Sequence, residues 1–209
     1  MPVFAPQMRG KLAKSAFELF AQRGIKNVNL DEVAAHAGVT KGSLYWHYQS
    51  KKDVILAAAA YYYRRWERRA RAEIARDGDP LGQLQRVLRF SVQSCLFDRD
   101  NRVFTAEIFA LSLQDAEIRA GWAQFYDTVR DLIVGLVEAA RAGGQIDVTE
   151  PRQAVTWMMD ATEGIKQRAA FEPEICTPSH RESLLQGMMR ILTHASAAAP
   201  ADRGTGGSG

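Results

Sequence analysis

The sequence predicts an all-α fold. Apolar residues recur at helical spacing along nearly the whole chain, and no run alternates apolar and polar residues as a half-buried strand would. The periodic segments are parted by short clusters of Gly, Pro, Asp and Asn, which stop helices.

A first helix is expected over about 9–23. Leu12, Ala16, Leu19 and Phe20 share one face, and Gly24 sits where a left-handed C-cap is wanted. Asn29 followed by Glu32 reads as a capping box that opens a second, short helix, with Leu30, Val33 and Ala34 facing inward and an end near His36-Ala37-Gly38. Thr40 can cap a third short helix through His47. Ser50 caps a long fourth, where Asp53 lies near the positive end of the helix dipole. Further helices are expected over 81–97, 103–113, 116–142, 151–171 and 181–194. Between them lie Asp77-Gly78-Asp79-Pro80, Asp98-Arg99-Asp100-Asn101, Gly143-Gly144 and the stretch from Pro173 to Pro178. The low-complexity tail over 196–209 is expected to be disordered.

Charge is unevenly spread. Residues 1–75 hold 13 Lys and Arg against 6 Asp and Glu, whereas the rest of the chain is net acidic. A basic front on an acidic body is the electrostatic footprint of a nucleic-acid-binding head. No apolar run approaches the roughly 20 residues of a membrane span, so no membrane partner is expected. No basic-then-apolar leader opens the sequence, and the protein is expected in the cytoplasm. Cys95 and Cys176 stand apart, without CxxC spacing, and the four histidines are scattered. No nucleophile elbow, phosphate-binding glycine loop or HExxH pattern occurs, so neither an enzyme nor a bound metal or cofactor is expected.

The informative stretch runs from Leu30 to Lys52, LDEVAAHAGVTKGSLYWHYQSKK. Two short helices flank a tight turn at Ala37-Gly38-Val39, where glycine tolerates a positive φ, and Val33, Ala34, Val39 and Leu44 can pack the pair together. Such a unit projects the N-terminal end of its second helix toward a DNA major groove. With AFELFAQRG in the first helix, Ala-Gly-Val before the third, Gly-Ser-Leu-Tyr-Trp-His-Tyr within it and Ser-Lys-Lys after it, the chain from Lys11 to about Leu56 resembles the tetracycline-repressor (TetR) family of regulators.

The resemblance implies an all-helical homodimer, with an N-terminal three-helix helix-turn-helix DNA-binding domain and a C-terminal helical ligand-binding and dimerisation domain. On this chain that division reads as a head over 1–50, a connector helix over 51–76 and a body over 77–195. The resemblance also implies double-stranded operator DNA and a small-molecule effector as partners. It assigns Lys41, Gly42, Ser43 and Tyr45 to the groove. Lys41 can donate to guanine or phosphate, Ser43 can serve either, and Tyr45 can meet a thymine methyl or a phosphate. Thr40, His47, Tyr48 and Lys51 are the implied backbone clamps, although His47 also suits packing. Where some members carry a basic residue early in the second helix, this chain has Asp31. Leu44 and Trp46 are expected in the core, and Arg64, Arg65, Arg68, Arg69 and Arg71 on a solvated face of the connector.

In the body, Phe90, Phe104, Trp122, Phe125, Tyr126, Trp157 and Met158 can line a pocket for a largely hydrophobic molecule, together with Phe97 and Phe109. Glu107, a candidate member of that pocket, falls with Asp160 and Glu163 within largely apolar helices; each could face a cationic ligand or hydrogen-bond a buried water, although each suits the surface better. Val155, Met159, Thr162, Leu184, Leu185, Met188, Ile191 and Leu192 are expected to form a four-helix interface between two chains.

Overall fold

A computed structural model describes residues 4–76 and 78–194. Residue 77 and the tail expected to be disordered over 196–209 lie outside the described residues. Among the described residues nine α-helices follow in order: α1 (Phe4–Arg23), α2 (Leu30–His36), α3 (Lys41–His47), α4 (Lys51–Ile74), α5 (Pro80–Val92), α6 (Arg99–Ser112), α7 (Ala116–Ala142), α8 (Pro151–Arg168) and α9 (Pro178–His194). Among the described residues there is no strand.

The caps read from the sequence form as expected. The Asn29 side chain accepts from the Glu32 backbone N–H while the Glu32 carboxylate accepts from that of Asn29. Thr40 caps α3, and Ser50 with Asp53 makes a second capping box on α4. Each such cap contributes about 1 kcal/mol, which matters most for α2 and α3, too short to persist alone. Gly38 takes φ 63°, and the Val39 N–H reaches back to Ala34 O at 3.0 Å to close the turn between them. Gly24 has a positive φ of 84° but a ψ of 148°, so the chain leaves α1 extended rather than left-handed and makes a 3-10 turn over Ile25–Asn27.

Several boundaries differ from expectation. The polar run at 98–101, expected to break the chain, is instead the cap and first turn of α6: Asp98 accepts from Asn101 N, and the buried Asn101 amide donates to Ser94. The helix expected over 81–97 changes to a π-helical turn at Gln93–Phe97, closed by Asp98 N–H to Gln93 O at 3.0 Å. α8 ends at Arg168, leaving Phe171 exposed, and α9 starts earlier, at Pro178.

Two apolar clusters hold the helices. The first joins Leu12, Phe17 and Phe20 of α1 with Val33, Leu44, Tyr48, Val54 and Tyr62, and continues into Phe104 and Ile108 of α6 and Ile118 of α7. The second joins α5, α7, α8 and α9 around Leu88, Ile133, Val137, Val155, Met158, Leu185 and Leu192. This placement corrects the expected interface between chains. Val155, Met159, Leu185, Met188 and Leu192 are buried within their own chain, while Thr162, Leu184 and Ile191 are half-buried.

Trp46 also departs from expectation. It is 74% exposed, whereas Leu44 is fully buried. Leu44 takes the inward face of the short α3, with the buried Tyr48 just past its end, and Trp46 lies about 200° around the helix from Leu44. Leu44→Ala should therefore cost about 2–5 kcal/mol in urea unfolding, whereas Trp46→Ala should stay within about 0.5 kcal/mol. Similar costs for the two would contradict this packing.

Candidate nucleic-acid interface and internal cavity

The outer face of α3 carries Lys41, Gly42, Tyr45 and Trp46, all exposed, with Ser43 and His47 half-buried beside them. The helix is fixed at its start and along its inner side. Thr40 Oγ1 accepts from Ser43 N at 3.2 Å, and Leu44 anchors the inner side. Gly42 leaves the N-terminal turn open, since an added Cβ would meet nothing nearer than Thr40 Oγ1 at 4.0 Å. Lys41 Nζ is 2.9 Å from Asp31 Oδ2 and 5.9 Å from the centre of the Tyr45 ring. The Asp31 hydrogen bond holds the Lys41 ammonium above its usual pKa, so it stays charged. Asp31, unassigned by the resemblance, thus positions Lys41. The indole of Trp46 stands edge-on to His47, with ring centres 4.6 Å apart.

Tyr48 is a correction. Its ring is buried in the first cluster, its hydroxyl donates to Arg9 O at 3.0 Å, and the Arg9 guanidinium lies over the ring. It braces α3 against α1 and does not present its hydroxyl on the outer face. Lys51 is half-buried at the start of α4. Its neighbour Lys52 bridges Asp115 at 2.8 Å and Glu117 at 3.0 Å, tying the start of α4 to the start of α7. Of the connector arginines, Arg64 and Arg68 are exposed and Arg71 pairs with Glu67, while Arg65 and Arg69 lie over Phe17 and Phe90.

Behind the head, a cavity of about 80 Å³ opens between α4, α5, α7 and α8, with Thr105 of α6 and Met188 of α9 completing its wall. The structure brings Trp122, Phe125, Tyr126 and Met158 together there, as expected, along with Glu163. Four expected members lie elsewhere. Phe104 is wholly buried in the first cluster, 5.0 Å from Phe17 and 5.8 Å from Tyr62 between ring centres. Glu107 accepts from the Ile25 backbone N–H, and an added Cβ on Gly24 would press within 2.7 Å of its carboxylate. It therefore joins α6 to the turn after α1. Phe90 lies behind Trp66, under Arg69, and Trp157 is half-exposed on the outer side of α8. Phe97 and Phe109 also lie off the wall, Phe97 under Arg181 and Phe109 exposed, as is Asp160.

Sequence reasoning missed Tyr62 and Trp66 of α4, Ser91 of α5, Cys95 of the π-helical turn, and above all Lys166, which is 5% exposed. Lys166 continues the apolar stripe of Val155, Met158, Met159 and Thr162 at helical spacing, a register that puts it on the inner face despite its charge. Its ammonium donates to Glu163 at 2.7 Å and stands 5.6 Å from the centre of the Trp122 ring. Burial, together with the nearby Glu163 charge, raises the Tyr126 phenol well above its usual pKa. Among the described residues, no group of three or more His, Cys, Asp or Glu gathers as metal ligands would, and no helix is long and apolar enough to cross a membrane.

An all-α chain with a doubly capped helix-turn-helix and an aromatic cavity behind it has the architecture of a DNA-binding regulator with a helical body packed on its head. Residues 12–58 match the family model of the bacterial regulatory proteins, tetR family. The chain is 24% identical over 178 residues to the HTH-type transcriptional regulator AcrR of Shigella flexneri, covering 81% of each. It is 25% identical over 175 residues to the HTH-type transcriptional regulator TtgR of Pseudomonas putida, covering 81% of this chain and 83% of that one. A TetR transcription regulator from Haloarcula marismortui shares the fold, with a TM-score of 0.78 at 13% identity over 90% of this chain and 97% of that one. Residues 12–58 thus carry a tetR-family DNA-binding head, and along most of its length the chain is similar to HTH-type transcriptional regulators.

Burial in the cavity wall pushes the Cys95 thiol up to about 12. An unfolded thiol ionises near pH 8.5, so this group's contribution to stability holds below that pH and declines as pH rises toward 12. Because the thiolate is the reactive form, iodoacetamide at pH 8 should alkylate Cys95 at least tenfold more slowly than a free thiol until the protein is unfolded. Fast labelling in the native state would contradict this environment.

Proposed function

We propose that the chain is a sequence-specific repressor that binds double-stranded operator DNA as a homodimer and is released by a small, largely hydrophobic molecule. Lys41, Gly42, Ser43 and Tyr45 enter the major groove, while Thr40, His47 and Lys51 contact the backbone. Trp46 joins them, since its exposed indole suits an apolar contact to a thymine methyl or sugar. Lys41 exchanges Asp31 for DNA, an easy trade for an ammonium paired only at the solvent-exposed surface.

One observation carries the coupling. α4 starts four residues after α3 ends, and the same unbroken helix places Tyr62 and Trp66 in the cavity wall. Tyr62 lies about 16 Å along the helix from Lys51. An occupant that shifts α4 therefore shifts the head, and two heads must together match half-sites about 34 Å apart, or a multiple of that, on the duplex. Dimerisation uses the faces that α8 and α9 leave open. Trp157, Ala161 and Gly164 follow one another at helical spacing on α8, and Leu184, Gly187 and Ile191 do so on α9.

Fluorescence anisotropy on DNA flanking the chain's own gene, against a scrambled duplex, tests the DNA reading. Specific binding at physiological salt should weaken roughly tenfold or more in Lys41→Ala or Tyr45→Ala, and equal, steeply salt-dependent binding to both duplexes would refute it. Sedimentation at micromolar concentration should give a dimer that Trp157→Arg converts to a monomer. A monomeric wild-type protein would sink the homodimer.

A further inference from the structure

The charges lining the cavity already cancel. Among the described residues, Glu163 and Lys166 are the only Asp, Glu, Lys or Arg in its wall, and they are bonded to each other at 2.7 Å. Lys166 also lies over the Trp122 ring. The position where a carboxylate and an aromatic face would together hold a ligand's cation is thus filled by the chain's own ammonium. An incoming cation must displace a lysine that is 5% exposed, and an incoming carboxylate must approach Glu163. Either leaves one charge buried without a counterion, a costly state that an uncharged ligand avoids.

The wall does offer hydrogen-bond donors. Ser91 Oγ is buried with no partner, and an ammonium has three N–H groups, of which Glu163 engages one. Aromatic rings from α4 and α7 supply flat apolar surface. The cavity is about 80 Å³, smaller than the roughly 150 Å³ that holds benzene, and Met158, Met159 and Met188 are the flexible side chains that can give way as a ring enters.

We propose that this cavity selects uncharged aromatic molecules carrying a hydrogen-bond-accepting oxygen, and that the Glu163–Lys166 pair excludes organic cations and carboxylates of the same size. The proposal rests on the cavity being the effector site. Removing either member of the pair should reverse the preference in a defined direction, which a merely structural role would not do.

The test uses three matched probes at pH 7: benzyl alcohol, benzylammonium and benzoate. Full-length protein carrying Trp46→Phe and Trp157→Phe leaves Trp66 and Trp122 as the fluorescent reporters. Benzyl alcohol should bind at least tenfold more tightly than either ion. Lys166→Met should bring benzylammonium to the top of the order, and Glu163→Gln should bring benzoate there, so either variant that folds suffices. An ion that matches the alcohol in the protein with the pair intact overturns the proposal. So does an order unchanged in every folded variant, or no binding by any probe. Operator release by benzyl alcohol, followed on the wild-type protein, separates the two readings. Charge-ordered binding without release upholds the ligand class and overturns the effector role, whereas release favoured by an ion overturns the class alone.

Discussion

The structure depends on the aromatic contact that Tyr62 makes on both of its sides. Toward the head its ring meets Phe17 of α1 at 5.9 Å and Phe104 of α6 at 5.8 Å; toward the body it meets Phe125 of α7 at 5.8 Å. Phe125 in turn takes the edge of Trp66 at 5.7 Å. Each such pair adds about 0.5–1.5 kcal/mol to the area it buries, so the cluster resists being pulled apart piecemeal. The head core and the cavity wall therefore share side chains, and α4 cannot move against one without repacking the other.

Polar contacts reinforce the same axis. Lys52 joins the start of α4 to Asp115 and Glu117 at the start of α7, whose next turns carry Trp122, Phe125 and Tyr126. Glu107 fixes α6 to the Ile25 turn that follows α1. In the proposed mechanism the Lys52 contact is weak and exposed while the Glu107 contact is half-buried, so the former yields first as the cavity fills. Inside the cavity, the Glu163–Lys166 pair gives the chain a polar anchor with no net charge.

Much of this was legible in the sequence where local chemistry decides. Asn29 with Glu32, Thr40, and Ser50 with Asp53 cap the helices they were expected to cap, and α7 spans the expected 116–142. The errors arose where a side chain serves a distant partner. Glu107 lies on the helix face between Phe104 and Ile108 and reads as a ligand contact, yet its partner is a backbone N–H 82 residues earlier. Tyr48 is buried and Trp46 exposed, the reverse of the expectation, because Leu44 fixes the inward face of α3 and the chain turns extended at Tyr48, just past its end, which lets that ring reach α1. Lys166 was invisible to a reading by residue type, because its burial depends on Glu163 and Trp122 meeting it inside the fold. The polar run at 98–101 reads as a breaker until Asn101 is seen to satisfy Ser94 across the π-helical turn.

The central claim is that the cavity and the head are coupled through α4, and coupling between two ligands is reciprocal. The most direct measurement is the affinity of benzyl alcohol for the free protein and for the protein saturated with its operator. Binding about fivefold or more weaker on the operator-bound form is the result this account predicts. Equal affinity for the two forms would contradict it, whatever each ligand binds on its own.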